Sequence, residues 1–257
     1  RAAVAIAGRR SYIGEVLGAL LPDDALELTV APRYYDYQLL ASYRPSREHE
    51  LGLFLLGSDD RLELLLESPA DFDPALTSNQ FSSSERFYRA LVSHRFTPNR
   101  QLSNRLDLAY GYTTEEDALA QLRIDIETHQ LQLRDELRHD LGAALTLVYG
   151  FDGQMTWLDG FVRAPALSKE GEPDEFDLSE LNSSRARERR VEPAGYVIAE
   201  LEPLAGWQLF PGLRLDRFDG TDQTLLQPRF STRVALGGGA TLKGAVGLFA
   251  QQPTSDE

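Results

Sequence analysis

The stretch "FPGLRLDRFDG" (Phe210–Gly220) alternates residue by residue after its proline. Leu213 and Leu215, with Leu209 just before them, point to one side of an extended chain, and Arg214 and Asp216 point to the other. Such a strand has one apolar and one hydrated face, and by itself it does not say which is inside. A soluble sandwich buries the leucines. A membrane barrel turns them toward lipid and keeps Arg214 and Asp216 in its lumen.

The same period-two pattern recurs along the chain. It opens in "AAVAIAG" and continues in "YYDYQLLASYR", "HELGLFLLGS", "RFYRALVSHRF", "NRLDLAYGY", "HQLQLRDEL" and "GAALTLVYG". It returns in "GYVIAELEP", "PRFSTRVAL" and "TLKGAVGLF". The count comes to about eleven strands of roughly 9–12 residues, longer than the usual mean of about 5–6 and matched to the tilted strands that cross a bilayer. The expected fold is all-β: an antiparallel up-and-down transmembrane β-barrel, present as a partial barrel or a curved open sheet.

The connections point the same way. Long segments (residues 11–33, 67–85 and 152–190) alternate with short ones such as "PSRE", "TPNR", "RHDLG", "EPLAGW" and "GGG". "TTEEDALAQ" reads as intermediate and "DGTDQ" as the weakest long member. In a meander, alternate connections emerge on one side, and outer-membrane barrels keep tight turns on one side and large loops on the other. Tyr34, Tyr35, Tyr43, Tyr88, Tyr110, Tyr112, Phe151, Tyr196, Trp207, Phe218 and Phe249 fall near strand ends, where an interfacial girdle belongs. Residues 1–257 are expected to form a single barrel segment, with 154–190 a long, flexible, extracellular loop.

Composition narrows the partners. The formal net charge of −14 argues against nucleic acid, whose phosphates call for a basic face. With no cysteine, disulfides, thiolate metal sites and cysteine nucleophiles are excluded. No apolar run is long enough for a transmembrane helix. The opening "RAAVAIAGRR" carries no signal-peptide pattern, and both ends read as cut from something longer.

Catalytic motifs are missing from the sequence. It contains neither G-x-S-x-G nor H-E-x-x-H, so no catalytic, cofactor-binding or metal-ligating residue is assigned and no enzyme is expected. His94, His129 and His139 read as surface or interfacial residues, and His49 as part of a turn. Asp59, Asp60, Glu67, Asp71 and Asp73 form either a calcium-binding set or, more simply, a solvated acidic loop. "RARERR" (185–190) reads as an anion patch or as a solvated charge run.

The stretches "AIAGRRSYI", "YYDYQLLASYRPSREHELGLFLLGSDD", "SSSERFYRALVSHRFTPN", "PGLRLDRFDGTDQTLLQPRFSTRVAL" and "TLKGAVGLFAQQP" together resemble the barrel of TonB-dependent outer-membrane receptors. The likeness covers most of the chain outside 154–190. It implies location in the bacterial outer membrane, lipid as the outer partner, and energised uptake of a scarce nutrient chelate such as a siderophore. It also implies a plug and TonB as partners, neither of which this sequence shows, and a barrel about twice as large. The ligand is not indicated. The lumen-facing candidates are Arg89, Arg95, Asp107, Arg134, Arg214, Asp216, Arg229, Arg233 and Lys243, each expected first as part of a wall salt bridge. The alternatives are a passive outer-membrane channel, or a soluble β-sandwich with binding or structural duties. One residue resists the membrane reading: Asp135 interrupts an apolar row between Leu133 and Leu137.

Overall fold

The structure, a computed structural model, describes residues 1–13, 33–65, 80–165 and 181–250. They form β1 (Ala2–Arg10), β2 (Arg33–Tyr43), β3 (His49–Leu65), β4 (Gln80–Phe96), β5 (Leu102–Leu119) and β6 (Leu122–Gly142). The chain continues through β7 (Leu145–Pro165), β8 (Leu181–Leu204), β9 (Trp207–Phe218), β10 (Gln223–Gly237) and β11 (Ala240–Gly247). All eleven lie in one sheet in chain order, each antiparallel to the next. β1 and β11 are its two edges, so the sheet is open.

The middle strands are longer than the sequence suggests, running from 17 residues in β3 to 24 in β8. The expected connection at "TTEEDALAQ" is strand as far as Leu119, and the turn is only Ala120 and Gln121. The expected loop at 154–190 is corrected likewise. Its two ends are strand, paired from Gln154↔Glu192 to Pro165↔Leu181, and residues 166–180 lie outside the described residues. The reason is that a run of alternating charges suits a ladder as well as a loop. Arg185 and Arg187 sit beside Asp159, at 2.7 and 2.9 Å, and offset the charge density that made the segment look loop-like.

Directly paired residues share a face, so the register divides every side chain between two surfaces. One surface, the apolar face, carries Leu213 with its partners Val197 and Pro228, and Leu133 with Leu108. The other, the polar face, carries Arg214 with Tyr196 and Gln227. Burial runs opposite to that of a soluble protein. Within the strands the buried residues other than glycine are Ser58, Val148, Ala194, Asp216 and Gln227, and the register puts all five on the polar face; of the two buried glycines, Gly111 shares that face and Gly57 lies on the apolar face under the Tyr37 ring. The apolar face is bare: Ile6 is 76% exposed, Val246 71% and Leu226 55%. The sheet therefore curls around its polar face, where long side chains converge. Arg138 on β6 reaches Glu200 on β8 with two 2.7 Å hydrogen bonds, spanning β7 and covering Val148.

Candidate functional site

The register brings all nine lumen candidates to the polar face, but only some of them meet. The centre is on β9. Arg214 Nε donates to both carboxylate oxygens of Asp216 at 3.0 Å, and Arg214 also reaches Asp152 on β7 at 3.5 Å. Asp216 is buried and accepts a 2.7 Å hydrogen bond from Gln227 Nε2, whose own oxygen accepts from Arg229 at 3.0 Å. Arg229 in turn lies 4.7 Å from the centre of the Phe249 ring. Three strands back from β9, on β6, Arg134 lies 3.3 Å from Glu136, and Tyr196 Oη donates to the same carboxylate at 2.6 Å. Arg134 and Arg214 flank the Tyr196 ring, 5.8 and 5.9 Å from its centre.

This array borders a cleft of about 480 Å³ lined by Arg134, Tyr196, Phe210, Arg214, Arg229 and Phe249 among others. Arginine, carboxylate, hydroxyl and ring side chains line it together with apolar ones such as Ile198, so the cleft suits a solute with both charged and apolar parts.

The remaining candidates lie apart. Arg89 crosses over Gly111 to donate to the Tyr112 carbonyl and to Thr113 Oγ1, both at 2.8 Å. Asp107 pairs with Arg105 at 2.8 Å. Arg95 stands between Glu50 and Arg105 on the ladder, and Arg233 faces Lys243 near the β11 edge.

Glu136, Asp152, Tyr196 and Gln227 belong to the array and were missed from sequence. Glu136 shares the parity of Arg134 and was readable from that. Tyr196 belongs by sequence to the expected interfacial girdle, and the register moves it, with Tyr34 and Phe218, to the polar face.

Other rings do form a row on the apolar face. One ladder line runs Tyr37–Gly57–Tyr88–Tyr112–His129–Trp157. Tyr37 and Tyr88 have centroids 6.2 Å apart, as do Tyr88 and Tyr112, and Tyr112 and His129 are 4.7 Å apart. Gly57 permits this, because a Cβ there would strike the Tyr37 ring lying across it. The next row out on the same face is polar or charged: Asp59, Arg86, Thr114, Glu127 and Asp159. Trp207 marks the opposite, tight-turn end of this face.

Asp135 stays on the apolar face, exposed, and accepts a 2.6 Å hydrogen bond from Asn104 Nδ2. Of the acidic set, Asp59 and Asp60 fall on opposite faces, and Glu67, Asp71 and Asp73 lie outside the described residues.

An exposed apolar surface, bounded by rings and then by charges, wraps a polar wall. The fold is that of part of an outer-membrane β-barrel. Among solved structures, the siderophore receptor PirA from Pseudomonas aeruginosa is similar over 84% of this chain and 33% of its own, with TM-score 0.57 and 16% identity. The outer membrane transporter YddB from Escherichia coli is similar over 91% of this chain and 34% of its own, with TM-score 0.60 and 9% identity. The ferric citrate transporter FecA matches over 84% and 36%, with TM-score 0.56 and 15% identity. The chain thus spans about a third of these receptor chains. No family model and no curated protein matches the sequence. This barrel fold agrees with the likeness to TonB-dependent receptors carried by the sequence.

Proposed function

We propose that this sheet is part of the wall of an outer-membrane receptor that takes up a scarce nutrient chelate, such as a ferric siderophore, with energy delivered through TonB. The apolar face contacts lipid. The polar face, with the nine candidates and the Arg214–Asp216–Gln227 array, lines the lumen. Further strands of the same barrel extend the β1 and β11 edges, since an unpaired edge is not tolerated in hydrocarbon. The wall positions and passes a solute, and the chemistry of uptake needs no catalytic set from these residues.

The observation that carries this reading is the inverted burial: large apolar side chains are bare on one face, while the side chains buried within the strands, Asp216 and Gln227 among them, lie on the other. A soluble sandwich requires the reverse.

The test is uptake of ferric siderophores by cells carrying the intact protein. Uptake should require the protein and collapse when TonB is deleted. Flux indifferent to TonB would make the barrel a passive channel instead.

A further inference from the structure

Beyond the ring row, at the ends of β6 and β7 away from the tight turns, the two faces exchange character. The continuation of the apolar face carries Arg123, Asp125, Glu127, Asp159 and Arg163, interrupted only by Phe161. The continuation of the polar face carries Ile124 and Ile126 on β6 and Leu158, Gly160 and Val162 on β7, and Ala186 extends it on β8. Ile124 is 42% exposed and Val162 40%. Acyl chains end at the rings, so lipid cannot cover this patch, and it lies on the side around which the sheet curls. A bare apolar patch on the inner side of a hydrated mouth marks a binding surface.

Next to the patch, on β3 to β5, the same rows are acidic. Asp60, Glu85 and Glu115 lie directly opposite one another on a single ladder line that continues into Ile126. Asp117, one row further out, is opposite Ile124, which is opposite Val162. Carboxylates opposed across a ladder repel. Asp60 accepts a 3.2 Å hydrogen bond from Ser58 Oγ, and among the described residues no cation pairs with Glu85, Glu115 or Asp117. Arg9 is the nearest cation on this face, and Asp36 holds it. The deeper array differs: there Arg134, Arg214 and Arg229 stand beside Glu136, Asp152, Asp216 and Gln227.

We infer that this mouth selects iron chelates that carry no net negative charge and present apolar surface, as ferric trihydroxamates do, over polyanionic ones such as ferric tricatecholates. The inference rests on the uptake function proposed above and names the substrate class. A polyanion meets like charge along Asp60, Glu85 and Glu115 before it reaches any arginine of the array. A neutral chelate with methylene arms covers Ile124 and Val162 and leaves the carboxylates in water.

The experiment uses the intact protein in detergent and, in parallel, cells that carry it and lack other ferric-chelate receptors. Ferrichrome, coprogen and ferrioxamine B, neutral or cationic trihydroxamates, are titrated by calorimetry beside anionic ferric enterobactin and ferric citrate. The best-bound trihydroxamate should bind about ten-fold more tightly than either anionic chelate. E85Q/E115Q/D117N should raise affinity for ferric enterobactin about ten-fold and leave the trihydroxamate unchanged. I124S/V162S should weaken the trihydroxamate about ten-fold. E116Q removes the adjacent carboxylate that faces outward and should change neither. Folding is monitored by heat-modifiable electrophoretic mobility. Equal or tighter binding of an anionic chelate, no gain in the triple variant, or a like gain in E116Q would overturn the inference. So would an I124S/V162S protein that loses stability with all affinities unchanged, because the chain would then cover its own patch. Uptake of labelled iron with and without TonB reports the underlying function separately. If TonB-dependent uptake favours an anionic chelate, the selectivity falls and the uptake function stands; if no chelate is taken up through TonB, both fall.

Discussion

Gly150 shows how a single residue holds the polar array together. It lies on the ladder line between Glu136 and Tyr196, and the tyrosine reaches across it to the carboxylate. A Cβ at Gly150 would come within 2.6 Å of Tyr196 Oη and of the Asp135 carbonyl oxygen. The backbone cannot yield as a side chain can, so any substitution forces Tyr196 off Glu136 and weakens that hydrogen bond. Gly150→Val should therefore destabilise the fold by about 1–3 kcal/mol, the range for a hydrogen bond to a charged partner left unmade. Tyr196→Phe, which removes the hydroxyl without crowding, should cost less. Denaturant unfolding of the protein in detergent measures both, and a Gly150→Val protein as stable as wild type would mean that the Tyr196–Glu136 contact contributes nothing. None of this is legible in "VYGFDG" alone. Parity places Gly150 and Glu136 on the same face as Arg134, but their meeting with Tyr196 is set by register across three strands.

At the scale of strands, what the sequence reveals and what it conceals have one cause. Alternation of leucine with arginine or aspartate around Leu213 identifies a strand because the contrast between faces is large. Beyond the rings that contrast fades, since Arg185 and Glu188 are both polar, and the same geometry reads as a loop. The strand continues there through side-chain pairs across the ladder. Asp159 is the hub of the β7–β8 extension, and the guanidinium of Arg185, reinforced by Arg187, holds its carboxyl down to about 2, below its ordinary value of 3.8. A depressed folded pKa means that this support is complete above the unfolded value and is lost as pH falls from about 4 to 2. The extension should open first on acidification, while the apolar band, held by ladder hydrogen bonds, remains closed. Hydrogen exchange at pH 6 and near pH 3 should show amides at 157–163 and 183–189 losing protection ahead of those at 145–151. Uniform loss in both segments would mean that the Asp159 pairs do not hold the extension.

For the whole molecule, the question is which face meets which solvent, and two adjacent residues decide it. Leu133 and Gln132 are neighbours near the middle of β6, and they point to opposite faces: Leu133 is level with Leu108, while Gln132 is level with Ala109 and Gln154. Gln132 donates to the Gln154 amide oxygen at 2.7 Å. Leu133 is 38% exposed, so in water a longer, charged side chain there could reach solvent at little expense. Against hydrocarbon the same change is costly: an arginine on the lipid face near the midplane of a barrel costs about 2–4 kcal/mol. Gln132→Arg replaces one polar side chain by another on the hydrated wall and loses one neutral hydrogen bond, about 1 kcal/mol. Folding of the two variants into phospholipid vesicles should therefore separate them, with Leu133→Arg the more damaged, and the gap should narrow toward the apolar band's margins. If the two variants fold equally well, or Gln132→Arg is the worse, the leucine rows do not face acyl chains. The inverted burial would then reflect an uncovered core awaiting another protein layer.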